Sequence, residues 1–167
     1  TSNNAHVNLF TLAGGPAFAV DGTINSLNIG KGAGSLTGNT AFGESALDDG
    51  SLSGENNTAI GKNTLSANTS GGQNVAVGSE CLDVNTTGST NTGVGRSALG
   101  GNTTGSANTA IGRSALTSNT TADNNTAVGH NALSTNSTGD DNTAVGSFAL
   151  DANTTGNQNT AVGQECM

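Results

Sequence analysis

Asn142-Thr-Ala-Val-Gly-Ser-Phe-Ala-Leu-Asp-Ala-Asn-Thr-Thr-Gly156 decides the fold of this chain, because it is one copy among many. Its opening pentapeptide recurs as Asn57-Thr-Ala-Ile-Gly61, Asn74-Val-Ala-Val-Gly78, Asn91-Thr-Gly-Val-Gly95, Asn108-Thr-Ala-Ile-Gly112, Asn125-Thr-Ala-Val-Gly129 and Asn159-Thr-Ala-Val-Gly163, always 17 residues apart. An earlier copy, Asn39-Thr-Ala-Phe-Gly43, stands 18 residues before its neighbour. A constant period of this kind marks a stack of like units, each closing its apolar side against the next.

Further columns keep the same step. Four residues after each final Gly comes Leu47, Leu65, Leu82, Leu99, Leu116, Leu133 and Leu150, and then Met167. Just before each of these sits a smaller side chain: Ala46, Thr64, Cys81, Ala98, Ala115, Ala132, Ala149 and Cys166. Seven after the Gly comes Asn68, Asn85, Asn102, Asn119, Asn136 and Asn153. Ten after it comes Gly71, Gly88, Gly105, Ala122, Gly139 and Gly156. The spacing predicts a parallel β-solenoid with two short strands per rung, Asn-Thr-Ala-Val-Gly and a second centred on Ala-Leu, joined by polar turns. Strand alternation puts Thr and Val on one side and Asn and Ala on the other. The expected interior holds the columns Val77, Val94, Ile111, Val128, Val145 and Val162 and Leu65, Leu82, Leu99, Leu116, Leu133 and Leu150, with Asn stacked into amide ladders. Ser26-Leu-Asn-Ile-Gly30 reads as a shorter first rung, giving about eight rungs and roughly 35–40 Å of rod. So many Gly and Asn-Thr pairs cannot sustain a helical stripe, and a leucine-rich repeat needs more Leu per unit.

Composition agrees with a narrow core. Leu, Val, Ile and Phe together make 29 of 167 residues, roughly two per repeat, so a core shared with other copies is attractive. Net charge is −8 with four cations, Lys31, Lys62, Arg96 and Arg113, which leaves no basic footprint for nucleic acid or anionic lipid. No apolar run is long enough to span a membrane. The chain begins at Thr1 without a signal peptide and ends within a repeat at Met167, which reads as a processed chain or a piece of a longer one.

The repeats resemble the YadA-like head repeats of trimeric autotransporter adhesins. The nearer likeness is to the Asn-Thr-Ala-Val-Gly-x-x-Ala-Leu-x-x-Asn-Thr-Thr-Gly variant of phage tail fibres and bacterial surface proteins. Residues 142–156 match it in full, and the copy at Asn108 departs twice, with Ile111 and Ala122. The resemblance covers about residues 25–167. It implies a left-handed parallel β-roll and a parallel homotrimer packed about a shared three-fold axis.

Residues 1–24 do not repeat. Val7-Asn-Leu-Phe-Thr-Leu12 and Ala17-Phe-Ala-Val20 read as strands around a Gly14-Gly-Pro16 turn. They are expected either to cap the open end of the array or to contact another subunit through Val7, Leu9, Phe10, Leu12, Phe18 and Val20.

Candidate chemistry is sparse. Cys81 and Cys166 lie five rungs apart, roughly 24 Å, beyond disulfide reach within one chain. His6 and His130 are the only histidines, and His130 sits in a varied polar column. No triad, metal spacing or phosphate loop appears, so no catalytic residue, cofactor or metal is expected and the chain reads as a non-enzyme. Asp48-Asp49 and Asp140-Asp141 read as turn acids with too few ligands for Ca²⁺. Asn68, Asn85, Asn102, Asn119, Asn136 and Asn153 each begin an Asn-x-Ser/Thr triplet, as do Asn56 and Asn124, so the first six are candidate glycosylation sites beside the plainer turn-and-ladder reading. Three functions are carried forward. The first is a structural or adhesive segment of an extracellular homotrimeric fibre, with itself and a host-cell surface or receptor glycan as partners. The second is a self-assembling filament subunit polymerising end to end. The third is a monomeric Thr-ladder solenoid that binds ice, which the expected inward Thr column disfavours.

Overall fold

The computed structural model describes residues 22–24, 27–33 and 36–167. Residues 1–21 lie outside the described residues, and with them the expected strands and the contacts at Val7, Leu9, Phe10, Leu12, Phe18 and Val20.

One strand per rung builds a single ten-stranded sheet in chain order. The strands are β1 (Gly22–Ile24), β2 (Leu27–Gly30), β3 (Thr40–Glu44), β4 (Thr58–Ile60), β5 (Val75–Val77), β6 (Thr92–Val94), β7 (Thr109–Ile111), β8 (Thr126–Val128), β9 (Thr143–Val145) and β10 (Thr160–Val162). From β3 to β10 the pairing is parallel with no slip along about seven turns, Thr over Thr and Ala over Ala except where Val75 and Gly93 enter the two columns. The chain is an all-β parallel β-solenoid with 17-residue spacing.

Two local expectations fail. Leu27–Gly30 is not a first parallel rung: β2 pairs antiparallel with β3, and β1 pairs antiparallel with β2. The hairpins thereby cover the first edge of the parallel stack, which would otherwise offer unpaired N–H and C=O groups. Ala-Leu is not a second strand either. It forms a tight corner in which the residues two and four after each Gly take positive φ, as at Ser97 (55°) and Leu99 (54°). Left-handed backbone costs a side chain roughly 1–2 kcal/mol. The corner offsets this by turning each Leu inward, where Leu47 to Leu133 are wholly buried. It is tied to the next rung, with Leu82 N–H donating to Ala98 O (3.1 Å) and Leu99 N–H to Ala115 O (3.0 Å).

The largest correction concerns the strand. Ala41, Ala59, Ala76, Ala110, Ala127 and Ala144 face the core, and the Val/Ile column faces out. Val94 is 37% exposed, Ile111 42% and Val162 72%, while Val77, Val128 and Val145 are partly covered. Polar satisfaction sets this parity. Each strand Asn must point inward because its backbone N–H donates to the Oδ1 of the Asn one rung earlier, at 2.8–3.0 Å throughout. Its Nδ2 donates to a buried turn carbonyl, as Asn57 does to Gly71 O (2.9 Å) and Asn91 to Gly105 O (2.8 Å). Turning the strand over would bury one Val per rung, worth about 1.5–3 kcal/mol at best. It would also strip the next Asn backbone N–H of its Oδ1 acceptor and carry the Thr hydroxyl of most rungs into the core, at about 1–3 kcal/mol each. The Asn side wins.

A second ladder runs through the turn. Asn85 Nδ2 donates to Asn68 Oδ1 (2.9 Å) and to Gly88 O (3.0 Å), and the pattern continues to Asn153. Among the described residues no buried side-chain nitrogen or oxygen lacks a partner. The core is thus a thin layer of Ala and Leu between two amide ladders.

Candidate functional site

The feature that stands out is the outer face of the sheet. Because the strand alternates and Asn and Ala are inside, Thr58, Thr92, Thr109, Thr126, Thr143 and Thr160 share the outward side with Ile60, Val77, Val94, Ile111, Val128, Val145 and Val162. Val75 replaces Thr in one rung, and Phe42 heads the apolar column with half its surface exposed. Neither column holds a charged residue from Thr40 to Val162 in a chain of net charge −8. The Thr hydroxyls of this face make no hydrogen bond within the described chain. The result is a strip of methyl and hydroxyl groups repeating once per rung, roughly every 4.8 Å.

Charge begins at the border. Just past each Gly, Lys62 Nζ pairs with Glu44 (3.0 Å) and Arg96 with Glu80 (3.6 Å), both exposed. Arg113 approaches His130 Nε2, and the His130 ring meets Phe148 edge-on with centroids 5.0 Å apart. These contacts tie neighbouring rungs at the rim, in keeping with the varied polar column that holds His130.

The candidate glycosylation column takes the opposite place from an acceptor site. Asn68, Asn85, Asn102, Asn119 and Asn136 are wholly buried and Asn153 partly so. Both hydrogens of each ladder amide in Asn85–Asn153 are donated, one to the previous Asn and one to the turn carbonyl three residues on. In Asn85, Asn102, Asn119, Asn136 and Asn153 the Asn-x-Ser/Thr triplets are therefore ladder chemistry, with no free amide for a sugar, whereas Asn56 and Asn124 lie outside the ladder and are exposed. The core column of Val77, Val94, Ile111, Val128, Val145 and Val162 is likewise relocated to the surface, whereas the Leu column stands inside.

Cys81 and Cys166 are free thiols, the first buried and the second partly so. Burial pushes the Cys81 thiol up to about 12, against a lowering contact from the Val77 backbone. Partial burial also raises the Asp83 carboxyl, with Glu80 adding to it. Asp49 Oδ1 accepts from Ser51 N–H (2.7 Å) and closes a local turn, whereas Asp140 Oδ1 accepts from Asp123 N–H (2.8 Å) and ties two successive rungs. No group of three or more His, Cys, Asp or Glu that could hold a metal occurs among the described residues.

Sequence reasoning misses the face because it assigns the wrong parity to the strand. The signal is present all the same: the Ala column alternates in step with a strict Asn column, and both belong on one side. Compared with protein-family models, curated proteins and solved structures, the chain matches none.

Proposed function

We propose that the chain is a structural and adhesive rod of an extracellular homotrimeric fibre, assembled through its uncharged sheet face. The observation that carries this reading is the outward Val/Ile column, one residue in each of seven rungs, with Ile60, Val94, Ile111 and Val162 exposed and the others partly so. Three rods laid parallel and in register bring each column to a common axis. Identical rung spacing lets every rung match its copies at once. Each Val or Ile so buried contributes up to about 1.5–3 kcal/mol, which accumulates along the rod. The likeness to trimeric adhesin and tail-fibre repeats supports the same arrangement, including a left-handed coil. The outer turns, varied and polar, are then left to meet a host-cell surface or a receptor glycan.

Native mass spectrometry of the purified chain tests this. A species near 48 kDa, from three 16.1 kDa chains, supports the reading. A 16.1 kDa monomer at micromolar concentration overturns it, and long polymers would favour the filament alternative instead.

One observation favours a second reading. The Thr column, expected inside, faces outward beside Val with idle hydroxyls. A rigid, regular hydroxyl–methyl lattice on a monomeric rod suits the ordered water of an ice surface. Thermal hysteresis from a monomer, absent in a Thr109→Lys variant, would select this reading over the fibre.

A further inference from the structure

We propose that the outward hydroxyls of Ser70, Thr87, Thr104, Thr121, Thr138 and Thr155 form a row of O-glycosylation acceptors along the rod. These six residues stand nine after the strand Gly, one in each successive rung, and all six are exposed. No side-chain hydrogen bond ties any of their hydroxyls to the described chain.

The neighbouring columns show why this is informative. One residue earlier, the hydroxyls hold successive rungs together. Thr69 Oγ1 donates to Thr86 O (2.9 Å), Thr86 to Thr103 O (3.0 Å), Thr103 to Thr120 O (2.9 Å) and Thr120 to Ser137 O (3.0 Å). Two residues later, a side chain accepts from the backbone N–H one rung earlier. There the chain uses Ser89, Ser106, Asp123, Asp140 and Asn157 interchangeably, since any short acceptor suffices. Turn chemistry accepts Ser, Asp, Asn and Gly alike. Yet the idle column holds Ser or Thr in every one of six rungs, while the equally exposed column three residues on drifts through Gln73, Thr90, Ala107, Asn124, Asp141 and Gln158. A position that bonds nothing in the fold and still keeps a hydroxyl is kept for the hydroxyl's chemistry.

That chemistry is transfer of a neutral sugar. The Ser or Thr Oγ attacks the anomeric carbon of a nucleotide-activated sugar held by a transferase. The new carbon–oxygen bond forms as the sugar–phosphate bond breaks. The nucleoside diphosphate leaves, and the hydroxyl proton passes to a base of the transferase. Phosphate suits the row poorly: dianions one rung apart, roughly 4.8 Å, sit well within the Debye length of about 10 Å, on a chain already at −8. Neutral sugars add no such repulsion, and they would coat the turn side of the rod while leaving the sheet face free.

Intact-mass and electron-transfer fragmentation of the chain isolated from its natural source test the proposal. The expected result is mass increments of hexose class mapped to the peptides carrying Thr87, Thr104 and Thr138. One increment should be lost for each of Thr87→Val, Thr104→Val and Thr138→Val made in that source. The variants should keep the wild-type melting temperature, and Thr104→Ala serves should Val perturb the turn. An unmodified mass, phosphate increments, or sugars mapped to other columns overturn it. The oligomer mass of the same sample reads the fibre proposal separately.

Discussion

The Cys81 sulfur fills the place that an alanine β-carbon would take at Gly93: a β-carbon built there would lie 2.5 Å from Sγ. Gly93 is the only non-Ala member of its inward column, and it follows directly on the rung where Cys replaces Ala. The two substitutions compensate across a rung interface. Gly93→Ala alone should overpack the core and lower stability by about 1–3 kcal/mol. Cys81→Ala alone should leave a small void. The double variant restores the pattern of the other rungs and should recover most of the loss. Thermal or denaturant melts of the four proteins check this; additivity would show that the two sites do not couple.

Cys81 also makes stability depend on pH. Its thiol is held up to about 12 against an ordinary value of 9.0, because burial disfavours the thiolate. Below 9 the thiol is neutral in both folded and unfolded chains and contributes no pH dependence. Between about 9 and 12 the unfolded chain releases the proton and the folded chain keeps it, so stability falls by about 1.4 kcal/mol per pH unit. The expected result is an alkaline loss of melting temperature that is shallower in the Cys81→Ala/Gly93→Ala variant. Iodoacetamide should label Cys166 well before Cys81 in the folded protein.

Gly95 stands at φ +136°, where a side chain is strained, and an added β-carbon would meet the Gly112 carbonyl oxygen at 2.5 Å. Gly95→Ala should cost about 2 kcal/mol or more, since this backbone region is essentially reserved for Gly. Gly50 has nothing within 4 Å of the same position, so Gly50→Ala should be near neutral. Equal melts for the two variants would contradict the packing of successive rungs.

Asn102 donates to Asn85 Oδ1 (2.8 Å) and Gly105 O (2.9 Å) and accepts from Asn119 (2.8 Å). Asn102→Leu should cost about 2–4 kcal/mol, because it strands buried partners above and below. Asn102→Asp should be worse at neutral pH and partly recover in acid, when the carboxyl can donate again. Circular dichroism melts at both pH values distinguish ladder chemistry from simple volume.

Ile111 is 42% exposed, so Ile111→Lys should change the stability of the isolated rod by no more than about 0.5 kcal/mol. In the proposed trimer the same residue faces its own copies. Three lysines there should shift the assembly to monomer at salt low enough to leave them unscreened. Native mass and melting temperature together separate the two effects.

Much of this architecture is legible in the chain. The period implies the solenoid, the Leu column one wall of the core, and the Asn columns the ladders. The Val column misleads, because apolar content alone would choose it for the inner side. The corner at Leu99 reads as a strand because a non-Gly residue at φ +54° is rarely expected, and Leu is not a turn residue by habit. Leu27–Gly30 reads as a rung because it shares the Ile-Gly ending, although its direction relative to β3 is not written in its residues.

The sequence by itself determined the repeat, its register and its step, because like residues stack only when each rung advances by the same number. It also determined that the core would be thin, since the large apolar residues are few. Only the tertiary structure decided which face of the strand is inside. That choice depends on contacts between rungs: the buried backbone N–H groups of Asn74, Asn91 and Asn108 find their acceptors in the Oδ1 atoms of Asn57, Asn74 and Asn91 seventeen residues away. Buried backbone groups cannot go unpaired, and that need outweighs the burial of a Val. The uncharged outer face of the rod follows from it.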